Sequence, residues 1–313
     1  MFLRNVVLTA VASAFLPACT GPSVRPATNR LPAWTTQLRE QQPQDAFGVV
    51  YRLGQTHLVF VGAVHENQTD SATFRMINDA YVGFKIDSVI AEGYPKSRGP
   101  NPPRLLEYAS EESRDGFQEG GETVPTVLGA LREGARVWGG DPDDADLKVR
   151  LIAEGFQPED VLGYYVLRVL PQWMREQRAE NPEDPRLRQL VDDELVRARG
   201  ALQLDRSVLP SFDEWANWYQ ALNGKPLSAE FSMEEVGPLQ DGSFPSNRIG
   251  AAVSRARDAF LHELIIDQLR SGQTVLVVFG GSHLMIQRPA LDAALGDPCY
   301  AGQRLEDAPT RCQ

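Results

Sequence analysis

Thr274-Val275-Leu276-Val277-Val278-Phe279-Gly280-Gly281-Ser282-His283 is the stretch that decides how this chain folds. Val275 to Phe279 is an unbroken apolar run, short and rich in β-branched side chains, the pattern of a strand covered on both faces. The run ends in Gly280-x-x-His283. Ahead of it, Arg257 to Arg270 places Phe260, Leu261, Leu264, Ile265 and Leu269 on one side of an amphipathic helix that Gly272 closes. A helix feeding a buried strand is the repeating unit of an α/β fold.

The same pattern recurs upstream. His57-Leu58-Val59-Phe60-Val61 is a second buried strand, paired through Leu53-Gly54-Gln55 with Phe47-Gly48-Val49-Val50-Tyr51-Arg52 in a hairpin. It ends in Gly62-x-x-His65. Phe74, Ile77 and Tyr81 then recur at helical spacing, and Ser88-Val89-Ile90-Ala91 forms a short strand ending at Glu92. A loop follows from Gly93 to Arg104. A helix near Val124 to Glu133 leads to Arg136-Val137-Trp138, a strand ending at Gly139-Gly140-Asp141. From about Ala145 to Leu222 the pattern is almost wholly helical, punctuated by Pro185, Gly200 and Pro210. Helices between strands of one sheet read as an inserted layer, here about 145–245, better than as a second domain. The expectation is one α/β domain over 46–313, with a central mostly parallel or mixed sheet, helices on both faces and a large helical insertion.

The chain has 313 residues, with 31 Lys+Arg against 42 Asp+Glu and a net charge of -11. Such a surface repels a phosphate backbone, so no nucleic-acid partner is expected. Attachment to anionic lipid would have to be covalent or apolar. Arg4 and the apolar stretch Val6 to Leu16 form a signal peptide too short to span a bilayer. Leu16-Pro17-Ala18-Cys19 resembles a lipobox. The expectation is therefore a lipoprotein signal peptide over 1–18, lipidation of Cys19 and export to the cell envelope. The position of Thr20 favours the periplasmic face of the outer membrane. Residues 19–45, rich in Pro, Thr, Gln and Arg, read as a flexible tether. Cys299 and Cys312 are expected to form a disulfide, since an oxidising compartment favours pairing of two neighbouring thiols.

Three strand ends carry the chemistry. Ligands of open α/β sheets bind at the carboxyl ends of the strands, and those ends here deliver His65, Glu92 and His283. A glycine where the chain leaves a strand permits a tight bend that can turn the following side chain back over the edge. Two imidazoles and a carboxylate are a familiar ligand set for a catalytic divalent metal, which activates water and polarises a carbonyl. Asp141, at a fourth strand end, is a further ligand or base. Glu122, in the Glu119-Gly120-Gly121-Glu122 loop, is a weaker one. Other motifs fall short. Thr69 stands where His-Glu-x-x-His needs its second histidine, and Leu284 where a nucleophile elbow needs glycine. Ser282 attack with His65 as base remains an alternative. His57 reads as a packed or edge strand residue, and His262 as a surface or boundary residue. Trp173, Trp215, Trp218 and Tyr219 read either as core of the insertion or as a lid over the crevice.

The Gly62-x-x-His65 strand end, the strand ending in Glu92, the Arg257-Asp258 pair and the Gly280-x-x-His283 strand end resemble the TraB/GumN/TIKI families. They also resemble the wider superfamily with ChaN-type haem-binding lipoproteins and erythromycin-esterase-like enzymes. The resemblance spans about Phe47 to Glu92 and Ala251 to Ile286. It implies an α/β fold with paired sheet-edge histidines, a metal-dependent peptidase in the TIKI branch, a site of His65, Glu92 and His283, and Arg257 orienting or neutralising it. Three functions stay open: metal-dependent hydrolysis of an amide or ester in a peptide or small molecule, metal-independent hydrolysis by a histidine polarised by Glu92, and haem or ligand binding without turnover. In the last, Tyr94, two residues beyond Glu92, would be a haem ligand.

Overall fold

A computed structural model of the chain describes residues 24–109 and 116–313, so the expected signal peptide and Cys19 lie outside the described residues. The strands are β1 (Phe47–Leu53), β2 (Thr56–Ala63), β3 (Ser88–Pro95), β4 (Arg136–Asp141), β5 (Val275–Gly280) and β6 (Tyr300–Gly302). They form one sheet in the order β4-β3-β5-β2-β1-β6. β2, β5, β3 and β4 run parallel, while β1 is antiparallel to both of its neighbours. The expected mixed α/β sheet is present, and the hairpin turns at Gly54, whose φ is +63°.

Strand alternation separates two apolar layers. On one face Val59, Val61, Val89, Val137, Leu276 and Val278 pack with helices α2 (Ala72–Gly83), α3 (Pro103–Ala109) and α4 (Thr123–Glu133). On the other, Leu58, Phe60, Ile90, Val275, Val277 and Phe279 meet α10 (Pro245–Arg270) and α11 (Gly281–Leu295). Between β4 and α10 come α5 (Asp144–Ala153), α6 (Pro158–Leu167), α7 (Leu170–Arg175), α8 (Arg186–Leu202) and α9 (Phe212–Asn223). They enclose a separate core that also takes Ile249, Ala252, Val253 and Ala256 from the first half of α10.

Three expectations change. The helix expected from Arg257 begins at Pro245. Its first half is buried from several sides, by the insertion as well as by the sheet layer, so no single apolar stripe marks it in the sequence. The second change concerns the tether. Residues 24–45 lie along the domain, with a short helix α1 (Thr36–Gln41). Val24 is buried, and Arg270 Nε donates to its carbonyl at 2.6 Å. Trp34 packs with Leu239 and Ile286, and Thr36 N donates to Asp241 at 2.9 Å. Polar composition hid a segment whose few apolar side chains each find a slot. β3 also runs past Glu92 to Pro95, into the expected loop.

The C-terminus closes the sheet edge. Helix α12 (Ala308–Arg311) follows β6, and a disulfide joins Cys299 to Cys312, with Cα atoms 5.2 Å apart. His57, on β2, sets its Nε2 3.2 Å from the Cys312 carbonyl and its ring against Phe84, as a packed strand residue does. A cross-link over 13 residues is worth about 3 kcal/mol in the chain-entropy model. A Cys299→Ser/Cys312→Ser variant should lose about that much in a urea titration. A change below about 0.5 kcal/mol would show that the edge holds without it.

Candidate functional site

The parallel strands β2, β5, β3 and β4 end at one rim, and the side chains just beyond them face a cleft of about 680 Å³ that the insertion roofs. His65, Glu92, Tyr94, Glu122, Asp141, Arg257, Ser282 and His283 all line it. The sequence placed most of these at a common edge. The structure adds how each is held.

Glu92 reaches the rim through a break in the β3–β4 ladder. The register shifts between Ala91 and Pro95, and Gly93 takes φ +89°, a region closed to most side chains. One carboxylate oxygen accepts from Gly280 N at 2.7 Å, the other from Arg257 Nη2 at 2.9 Å. Burial alone would favour the neutral acid. The charges of His283 and Arg257 outweigh it and hold Glu92 ionised well below the usual carboxylate range.

Arg257 comes from the middle of α10 and bridges two strand ends. Its Nε donates to Asp141 at 2.7 Å and its Nη2 to Glu92. Asp141 also accepts from Gly93 N at 2.8 Å. Both oxygens of Asp141 are thus committed, and it acts as a brace for Arg257, not as a free ligand or base. Asp143 accepts from Ser97, and Asp144 from the Tyr165 hydroxyl at 3.0 Å.

His283 sits in the first turn of α11, not on a loop. Its Nδ1 donates to Asp258, one residue along α10 from Arg257, at 2.7 Å, and its Nε2 lies 3.5 Å from Glu92. Burial disfavours its charge, but Asp258 and Glu92 raise it to about 10. The same Nε2 lies 3.4 Å from Arg257 Nη1, so the guanidinium and Glu92 both face this nitrogen. Sequence reasoning passed over Asp258 except as part of the Arg257-Asp258 motif. The only available signal was its spacing beside Arg257.

Asp258 is itself fixed from behind. Ser254 Oγ donates to it at 3.0 Å, and Gln287 Nε2 reaches its backbone carbonyl at 2.7 Å. Gln287 Oε1 accepts from His262 Nδ1 at 3.1 Å, and His262 Nε2 accepts from Ala27 N at 3.0 Å. His262 is fully buried, not a boundary residue, and burial lowers its pKa, which keeps it neutral. The chain of bonds runs from the N-terminal segment to His283.

His65 is the half-exposed member. Its Nδ1 lies 2.5 Å from Glu122 Oε1, and this bond, with Glu92 nearby, raises its pKa against the opposing effects of burial and the Arg175 charge. Glu122, the weaker candidate, is therefore a direct partner. The other nitrogen, Nε2, lies over Gly280. A Cβ built there would stand 3.0 Å from Nε2 and 3.6 Å from Glu92 Oε2. Gly62 and Gly280 both have ordinary negative φ, so these glycines serve close approach, not the tight bend expected of them. No hydrogen bond links Ser282 to His65 among the described residues. Trp173, Trp215 and Tyr219 are buried in the insertion core with Trp218 packed against them, and the cleft wall is Tyr164 and Tyr165 instead.

His65, Glu92 and His283 do converge. A divalent metal among them would need a free Glu92 oxygen and a lone pair on His283 Nε2. Both oxygens already accept hydrogen bonds, and the Arg257 guanidinium stands 3.4 Å from His283 Nε2, placing positive charge where a metal would sit. Among the described residues no group of three His, Cys, Asp or Glu is spaced to hold a metal ion. With Arg257 in this position the site does not fit a resident dication. Tyr94 lines the same cleft with its ring half-buried. Comparison of the chain with protein-family models, with curated proteins and with solved structures finds no match in any of the three.

The raised His283 fixes the sign of a pH effect. A group whose folded pKa exceeds its unfolded value of about 6.5 stabilises fully below that value, and the stabilisation is lost as pH rises through about 10. Unfolding free energy should fall between pH 7 and 10, and the slope should flatten in Asp258→Asn. An unchanged slope in that variant would deny His283 its charge. Gly280→Ala should shift the His65 ring signals in NMR while leaving far-UV circular dichroism unaltered. Unmoved His65 signals would mean that the two are not in contact.

Proposed function

We propose that the chain is a hydrolase of ester or amide bonds, of the TraB/GumN/TIKI kind, that uses His65 as general base without a resident metal. The observation that carries this reading is the 2.5 Å bond from His65 Nδ1 to Glu122. A carboxylate on Nδ1 fixes the tautomer, leaves Nε2 as the basic nitrogen facing the cleft, and stabilises the imidazolium that forms.

Water held at Nε2 gives its proton to His65 as its oxygen bonds to the substrate carbonyl carbon. The carbonyl oxygen becomes an oxyanion, and the nearby positive charge is that of Arg257 and protonated His283. On collapse the C–O or C–N bond breaks, and His65 returns the proton to the leaving alcohol or amine. Glu92 and Asp141 hold Arg257 in place. They keep the two cations from being a bare buried charge.

A lipid on Cys19 would join this activity to a membrane. Val24 is already fixed to the domain. From residue 19 to residue 24 the chain spans about 18 Å at full extension, so the anchor would hold the domain close against the membrane surface.

The test is a panel of p-nitrophenyl esters and amino-acid p-nitroanilides, assayed with and without EDTA. Turnover should resist EDTA and fall by about 10²–10⁴-fold in His65→Ala. Activity should rise with pH through the raised pKa of His65. Glu122→Gln should move that rise to lower pH, because losing the carboxylate destabilises the imidazolium. Loss of turnover on chelation, restored by added metal, would replace this mechanism with a metal-assisted one. No turnover on any substrate, with a Soret band on adding haem that Tyr94→Phe abolishes, would replace it with haem binding.

A further inference from the structure

The insertion lays two arginines along the cleft for which the proposed chemistry has no use. Arg168 caps the C-terminus of α6, Arg175 lies in the last turn of α7, and both line the cleft. Neither makes an ion pair with any described residue. This sets them apart from Arg257 and Arg197, the other arginines of the cleft, which are held by Asp141 and Glu92 and by Glu194.

Arg168 is partly buried, with its guanidinium carbon 4.2 Å from the centre of the Tyr165 ring. Stacking fixes the plane of the guanidinium and leaves its edge N–H groups, which can donate to two oxygens at once, without a protein acceptor. A rigid, half-desolvated cation of this kind is preorganised for an anion. Tyr165 is fixed in turn, since its hydroxyl donates to Asp144 at 3.0 Å. Arg175 stands close enough to His65 for its charge to oppose protonation of the imidazole. None of the described acids that share the cleft forms an ion pair with either arginine. Asp144 is taken by Tyr165, Glu176 accepts from Gln172 at 2.7 Å, and Glu119 makes no ion pair with either arginine. In a chain of net charge -11, two cations facing a cleft without partners are a selective feature.

We propose that Arg168 and Arg175 form an anion subsite, and that the substrate carries a carboxylate or phosphate group beside the bond that His65 attacks. The anion would accept from the edge N–H groups of Arg168, with Arg175 as the second cation of the cleft. What the anion is attached to rests on the hydrolase reading; the seat for the anion does not.

Binding can be measured without turnover. Inorganic phosphate, acetate and succinate would each be titrated into the purified protein by calorimetry at low ionic strength. The tighter of the phosphate and carboxylate arms identifies the group. Affinity should fall about ten- to a hundredfold in Arg168→Met/Arg175→Met, a change that keeps side-chain length and apolar contact with Tyr165. Arg168→Lys/Arg175→Lys should keep part of the affinity and show a weaker preference for oxygens in pairs. Equal affinity in the parent and in a folded Met variant, or no binding of any of the three anions, would overturn the subsite. Anion binding in a protein that hydrolyses nothing would keep the subsite and remove the hydrolase.

Discussion

The partly buried guanidinium of Arg257 is the constraint on which the rest of the site depends. It closes the gap between β3 and β4 by holding Glu92 and Asp141 together, and those carboxylates are tolerable at a covered rim only because it is there. An unpaired charge left behind in such a place costs about 3–5 kcal/mol. Each acid is also tied to the backbone, Glu92 to Gly280 N and Asp141 to Gly93 N. The ion network therefore doubles as the lock on the strand ends, where the β3 ladder is interrupted. Fixed charges of known orientation are what a site needs to stabilise an oxyanion without reorganising during the reaction.

Behind this network a second line of polar groups does for Asp258 what the first does for Glu92. Gln287 can hold the Asp258 backbone only while His262 stays neutral with its proton on Nδ1, and the Ala27 N–H enforces that tautomer by donating to Nε2. The N-terminal segment is thus structural down to individual hydrogen bonds, although its composition reads as a linker. Fully satisfied buried networks of this kind select one arrangement over its near alternatives, because a half-satisfied one is costly.

The framework was legible because it is written in apolar runs. Val275 to Phe279 and Leu58 to Val61 can only be buried strands, and glycine followed by histidine at matching offsets marked their ends. The convergence of His65, Glu92 and His283 followed from sheet topology alone. What stayed hidden is pairing. Whether Asp141 is free or spent, whether Glu122 belongs with His65, and whether Arg257 occupies the place of a metal depend on rotamers and on a register shift near Gly93. None of these leaves a trace in residue spacing. His262 misled for a related reason. A polar residue inside an apolar helix face looks like a boundary unless its partners on α11 and on the N-terminal segment are known.

The position of Arg257 along α10 has a further consequence. Ala256 belongs to the core of the insertion, and Leu261 to the core beneath the sheet, so the helix crosses from one packed unit to the other within the turn that carries Arg257 and Asp258. Packed cores move as units and do not stretch. Any shift of the insertion must therefore pass through this turn, because one rigid helix belongs to both cores. His65 and Glu122, by contrast, come from loops on the sheet side, with Glu122 just ahead of α4. In the proposed reaction, the wall that would meet a substrate and the cations that would meet its oxyanion are consequently joined through α10. The proposed base, His65, is held separately, by Glu122 just ahead of α4.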